Sequence, residues 1–245
     1  MNIIRVKNLN FSYGKNKLFN NISFDIEQGS LISLVTPSSC GKTTLLNIIN
    51  KSIETESVEY DKNIKVTLIN TEIKFYCKTV LEELLLLSSN LNKIKKLLKE
   101  FDLMNHINNS PLNLNYVQMQ KLNFIKAILK KSNVILFDDI FSYFDDYSKI
   151  EFIGLLKKYQ DEKNITIIYT TTSLEDTFFC DKILIIDKEL LFYGSLDKIY
   201  QDENIIKKSK MNIPLENELV EKLKLYNIID NVSYTIDEVV DEICK

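Results

Sequence analysis

The sequence predicts an α/β fold with a helical insertion, and three observations carry that expectation. The apolar run "SLISLV" at 30–35 feeds directly into a polar loop and then into "KTTLLNIINK", which has helical spacing. A second apolar run, "NVILFDD", ends on paired carboxylates at 138 and 139. Between and beyond these runs, strand-like and helix-like stretches alternate, the pattern of an α/β layer architecture. In order, 2–7 and 22–27 read as strands, 30–35 as the strand before the loop, and the segment after Gly41 as a helix. Residues 65–70 read as a strand, and 80–104 and 116–131 as leucine- and lysine-rich helices. Strand 134–139, a helix at about 146–159, strand "ITIIYT", a short helix and two strands ending at Gly194 complete the succession. The polar segment 201–214 ends in one of only three prolines and marks a boundary.

Composition narrows the classes of function. At 245 residues and 45% hydrophobic content the chain can bury a sizeable core. Its net charge is −3, with 31 basic residues among 34 acidic ones, so no excess of charge directs it to nucleic acid. Arg5 is the one arginine, a bias of the whole sequence that carries no mechanism. Cys40, Cys77, Cys180 and Cys244 are scattered and form no C-x-x-C pair, which fits a reducing compartment. The N-terminus lacks the apolar core of a signal peptide, and "VLEELLLL" is too short and acidic to span a bilayer. A soluble protein is expected, with any membrane association made through a partner. His106, the single histidine, is read as structural.

The loop at 36–44 is a phosphate-binding loop with one glycine missing. Loops of the form G-x-x-x-x-G-K-[ST] hold phosphate because backbone N–H groups converge at a helix N-terminus, the lysine neutralises charge and the hydroxyl reaches Mg²⁺. Here Thr36 stands at the first glycine, Pro37, Ser38, Ser39 and Cys40 follow, and Gly41, Lys42, Thr43 and Thr44 complete the motif. Thr36 is costly there if its φ is positive. A G-K-T triplet alone is a common sequence. Together with Asp138 at the end of a neighbouring strand it makes a site for Mg²⁺ and ATP, the metal held by Thr43 and Asp138.

With these motifs the chain resembles the ATP-binding subunit of an ABC transporter, over residues 1 to about 200 and in that family's motif order. Tyr13 in "FSYG" stands where the family places a ring against adenine. "TPSSCGKTT" matches Walker A, and "KTVLEEL" at 78–84 the start of the helical subdomain. "LNYVQMQKLNFIKAILKKSNVILFDDIFSYFD" runs without a gap from signature through Walker B to the D-loop, with Ser142 to Asp145 in place of S-A-L-D. "TIIYTTTSLED" and "CDKILIID" match the switch and the strands after it. The resemblance implies a P-loop NTPase, RecA-like cassette at 1–204, with an antiparallel β subdomain and a helical subdomain at about 79–131. It also implies two composite ATP sites shared between paired cassettes.

The departures concern chemistry. The signature carries Asn115, Tyr116 and Val117 where the family has Ser-Gly-Gly, which should hinder the approach of a facing γ-phosphate. The catalytic Glu is Asp139, one methylene shorter, and the switch His is Thr172, which cannot bring positive charge to the γ-phosphate. The Q-loop position falls on Asn70 or Ile69. A homodimer would repeat both sets of defects in both sites, so a heterodimer with a second ABC ATPase subunit is expected, binding Mg-ATP with weak hydrolysis at the cytoplasmic face of an integral membrane transporter subunit. The tail 205–245 reads as two short amphipathic helices, one opened by Thr235-x-x-Glu238. It resembles the small C-terminal extension of the ATPases of energy-coupling-factor (ECF) importers. The alternatives are a non-hydrolysing pseudo-ATPase that regulates assembly, an ABC exporter, or an ABC protein unconnected with transport.

Overall fold

A computed structural model describes residues 1–36, 40–177, 179–200 and 205. Pro37, Ser38 and Ser39, most of the 201–214 boundary and the expected extension beyond Ile205, Cys244 included, lie outside the described residues.

Two sheets form the frame. Strands β1 (Asn2–Tyr13), β2 (Asn16–Glu27) and β4 (Val58–Tyr60) make an antiparallel sheet in the order β2-β1-β4. Strands β3 (Leu31–Val35), β5 (Val66–Ile69), β6 (Val134–Phe137), β7 (Thr166–Thr171), β8 (Lys182–Asp187) and β9 (Glu189–Gly194) make the second, in the order β5-β6-β7-β3-β8-β9. All its neighbours are parallel except β8 with β9. Strands β3, β6 and β7 are buried along their whole length, as parallel strands covered on both faces must be. Helix α1 (Lys42–Ile49) lies between the sheets, its Leu45, Leu46, Ile48 and Ile49 packed into the core that both share. Helices α2 (Val80–Leu85), α3 (Leu91–Glu100) and α4 (Tyr116–Leu129) form the insertion between β5 and β6. Helices α5 (Asp146–Lys163) and α6 (Leu196–Tyr200) follow β6 and β9. None of the described helices is long and apolar enough to cross a membrane.

The expected elements differ from the observed ones where local chemistry overrides periodicity. Strands expected at 2–7 and 22–27 run on to Tyr13 and back from Asn16, because Gly14 at φ +57° closes a hairpin whose polar strands show little alternation. The helix expected over 80–104 breaks at 86–90, where Asn90 accepts from Lys93 N (3.0 Å) and starts a new helix. Capping boxes open α2 (Thr79 with Glu82) and α4 (Asn115 with Gln118).

One buried ion pair ties the insertion together. Glu83, 1% exposed, meets Lys126 Nζ of α4 at 2.5 Å and accepts from the Tyr76 and Cys77 backbone N–H groups at 2.9 and 3.0 Å. Burial raises the Glu83 pKa, but the Lys126 and backbone hydrogen bonds outweigh it and hold the carboxyl below its ordinary value. The segment after β5 is thereby fastened to both α2 and α4.

Candidate functional site

The register of the parallel sheet brings the expected site residues to one edge. Ile69 pairs with Phe137, Phe137 with Tyr169, and Val35 with Thr171, so β5 and β6 end level with each other and β7 and β3 run two residues further at the same edge. The next residues are Asn70, Asp138, Thr172 and Thr36. In open α/β sheets this carboxyl edge is where ligands bind. Of the two residues expected for the Q-loop, Ile69 is buried in the core and Asn70 is the first residue beyond β5.

The phosphate loop ends on Gly41, at φ +92°. A Cβ there would lie 2.9 Å from Leu18 Cγ and Cδ2 and from Phe19 Cε1, so both the backbone conformation and the closeness of β2 require glycine. Thr36, by contrast, is buried and absent from the residues with positive φ, so its β-branched side chain meets no left-handed strain. Helix α1 starts at Lys42, presenting its first N–H groups and the positive end of its dipole to the loop. Cys40 Sγ lies 3.7 Å from Asp187 Oδ1, and Thr44, half a turn into α1, faces the core.

Lys42 and Asp138 define the charge of the site. Burial lowers the Lys42 pKa, opposed by Asp139 and Asp138. Asp138 is 7% exposed, and burial raises its pKa, with the Thr43 hydroxyl bonding the carboxylate and Lys42 acting in the opposite sense. Asp138 Oδ1 is buried without a hydrogen-bond partner. Such an oxygen is expensive unless something coordinates it. An Mg²⁺ that takes a carboxylate of the strand and the hydroxyl of the loop would meet this unpaired oxygen beside Thr43, so the donor set fits the ion.

The groups expected to break the γ-phosphate bond are differently occupied. Asp139 adopts a left-handed backbone (φ 55°), donates its N–H to Thr170 Oγ1 (2.7 Å) and accepts at Oδ1 from Ser142 Oγ (2.7 Å). Its carboxylate is therefore engaged by its own D-loop. Thr172 is exposed at the end of β7. The preceding Thr171 hydroxyl bonds Asp176, whose carboxylate meets Lys149 Nζ of α5 at 3.1 Å. Tyr13 is 56% exposed at the tip of the β1–β2 hairpin, its ring edge-on to Phe11 at 5.0 Å.

In the signature segment, Tyr116 does not project freely. Its ring centroid lies 5.0 Å from that of Tyr143 and 6.0 Å from that of Phe144, and its hydroxyl accepts from Gln120 Nε2 (3.0 Å). The expected obstruction of a facing phosphate therefore loses its larger member, since this ring is folded against its own chain. Gln118 bonds Asn115 N and His106 Nε2, which accounts structurally for the single histidine. Sequence reasoning did not find Thr170 as a partner of Asp139, or the Lys149–Asp176 pair, because nothing in spacing joins such distant positions, and the local Ser142–Asp139 bond depends on the left-handed turn at Asp139. The contact between Tyr116 and Tyr143 had a visible signal: both stand where the resemblance has small residues.

The profile of the ABC transporter family matches residues 19–142. The chain is 24% identical over 275 residues to the energy-coupling factor transporter ATP-binding protein EcfA1 of Mycoplasmopsis synoviae, covering 99% of this chain and 100% of that one. It is 26% identical over 264 residues to the EcfA protein of Pediococcus pentosaceus, covering 97% and 94%. Among solved structures it is similar in fold to CbiO1 from Clostridium perfringens, described as part of the ABC transporter complex cbiONQ. The TM-score there is 0.74 at 17% identity, covering 90% of this chain and 99% of that one. An inward-facing putative metal-chelate type ABC transporter gives 0.72 at 20% identity, covering 84% and 88%.

Proposed function

The chain belongs to the ABC transporter family, as its ATP-binding domain, and on that footing we propose that it is the slowly hydrolysing member of a pair of cassettes that drives an ECF-type importer. The observation that carries this reading is the meeting of Lys42, Thr43 and the unpaired Asp138 Oδ1 at the carboxyl edge of the sheet. Lys42 and the α1 amides bind the β- and γ-phosphates, and Thr43 and Asp138 hold the Mg²⁺, which supplies charge neutralisation at the phosphates. Tyr13 offers its exposed face to the base.

Hydrolysis is weak on this reading because Asp139 is short and already bonded by Ser142, and because Thr172 brings no charge to the γ-phosphate. A second ABC ATPase subunit with intact groups complements it. An integral membrane subunit at the cytoplasmic face docks in the groove between the sheet and the helical subdomain (about 79–131), and the 205–245 extension belongs to the same assembly. The likeness to EcfA proteins along nearly the whole chain supports the ECF assignment. The engagement of Asp139 by Ser142 equally favours a second reading, a pseudo-ATPase whose nucleotide regulates assembly without turnover.

Calorimetric titration of the purified chain with Mg-ATP, followed by phosphate release, tests these readings. Binding is expected with very slow turnover, and loss of binding in Lys42→Ala. Fast basal turnover that vanishes in Lys42→Ala overturns weak hydrolysis. Zero turnover in the assembled complex as well selects the pseudo-ATPase. Light scattering with ATP and Mg²⁺, alone and beside a co-expressed second cassette, tests the pairing: a stable ATP-dependent homodimer with no preference for the partner removes it.

A further inference from the structure

Two departures from the family pattern touch each other. At 116 and 143 the resemblance has Gly and Ala, yet this chain has Tyr at both, and their rings meet at 5.0 Å with planes at 63°. Tyr116 also meets Phe144 edge-on, and Phe144 is itself packed at 5.5 Å against both Phe141 and Phe152 of the core. The first residue of α4 is thus joined through aromatic rings to the loop that follows β6, across the line where the helical insertion meets the sheet. Offset and edge-on ring pairs of this kind are attractive beyond the area they bury.

A second set of bonds closes the same junction from behind. Gln120, fully buried one turn further along α4, donates from Nε2 to the Tyr116 hydroxyl (3.0 Å) and to the Asn70 carbonyl (3.3 Å). Asn70 is the residue beyond β5, next to Asp138, whose N–H bonds Ile69 O at 2.8 Å. Asp139 lies close enough for its charge to act on the Tyr116 phenol and holds the same loop through Ser142. Three segments therefore converge on Tyr116 and the Gln120 that it bonds: the start of α4, the loop 139–145 and the end of β5.

We infer that Tyr116 is a positioning residue, an aromatic clasp that makes the signature segment, the D-loop and Asn70 move as one unit, so that nucleotide bound beside Asp138 and Asp139 alters the surface that this chain offers to its partner cassette. The inference rests on the function proposed above for its nucleotide part, and on the ring contacts alone for the clasp. A mechanical link of this kind passes a signal only if both of its ends share one two-state change, which is a measurable property.

Hydrogen exchange on the full chain, read by mass spectrometry, separates the two parts. Tyr116→Ala keeps a good helix former at the start of α4 and removes the ring, and Tyr143→Ala changes a side chain that is 70% exposed, so the fold is not at risk from the second. Without nucleotide, Tyr116→Ala is expected to speed exchange at 142–145, and Tyr143→Ala at 116–120, by about tenfold. Tyr116→Phe should leave 142–145 protected while loosening the residues around Asn70, because it keeps the rings and loses the bond to Gln120. Effects confined to the substituted element overturn the clasp. Adding Mg²⁺ with a non-hydrolysable ATP analogue should extend protection to 114–120 in the wild type and not in Tyr143→Ala. If calorimetry shows the analogue bound and 114–120 does not respond, the coupling is wrong. If the analogue does not bind, the proposed function fails instead, and the nucleotide-free comparison still decides the clasp.

Discussion

Replacing Asp138 by Asn gives opposite results with and without ligand, which makes it a sharp probe of the metal half of the site. In the empty protein the carboxylate is buried and Oδ1 lacks a partner, a situation that costs about 1–3 kcal/mol for an ordinary polar group and more for a charged one. Asn removes the charge and keeps an acceptor for Thr43. The variant should therefore be more stable than wild type without ligand by about 1 kcal/mol, which for a chain of this size is roughly 2–4 °C in Tm. Burial raises the folded-state pKa above the unfolded value. The stability associated with the protonated form is thus complete below the unfolded pKa and is lost as pH rises through the folded one. The advantage of the variant should be absent in acid and full at neutral pH. With Mg-ATP at about 100 times Kd, binding adds about 2.7 kcal/mol to the wild type, or roughly 5–11 °C, and Asp138→Asn should forfeit most of this gain. Thermal unfolding in EDTA, in Mg²⁺ and in Mg-ATP reads all three quantities. A variant less stable than wild type in EDTA, yet equally stabilised by Mg-ATP, refutes the assignment of Asp138 to the metal.

Glu83→Gln strips the charge from a nearly dry ion pair and leaves Lys126 uncompensated; chemical denaturation should show a loss of about 3 kcal/mol, partly recovered by adding Lys126→Met. Because the Glu83 pKa is lowered on folding, its contribution is present above the unfolded value and lost as pH falls through the folded one, so the gap between wild type and Glu83→Gln should close in acid. In the assembled complex, Asp139→Glu and Thr172→His should each be nearly silent, while the double variant should raise steady-state phosphate release about tenfold or more, since base and electrostatic help act together. No gain in the double variant places the limit elsewhere, in the partner or the phosphate loop.

What the sequence revealed of this molecule follows from how local its physics is. The buried strand 134–137 is written as an unbroken apolar run, and the order strand, loop, helix at 31–49 follows from "SLISLVTPSSCGKTT". The position of Lys42, Thr43 and Asp138 at one edge was legible because Asp138 directly follows strand 134–137, while Lys42 and Thr43 open the helix that follows the loop after strand 31–35. The break at 86–90 was missed because leucine periodicity continues across it, although Asn90 marks the new start. Thr36 would have been costly only at a positive φ, and it does not have one. Contacts between remote positions, such as Thr170 with Asp139 or Lys149 with Asp176, have no period and no motif. They exist only once the parallel sheet has set its register.

The contact of Gly41 with Leu18 and Phe19 has a consequence for what the cleft measures. Those two residues belong to the same hairpin whose tip carries Tyr13, an antiparallel ladder from Tyr13–Asn16 to Asn2–Glu27 whose register shifts between Asn2 and Ile4 and again between Val6 and Ser12. The end of the loop proposed to receive phosphates and the ring proposed to meet the base are therefore both set against one hairpin. Leu18 and Phe19 leave no room behind Gly41, so the floor of the loop is set by the same hairpin that carries the ring.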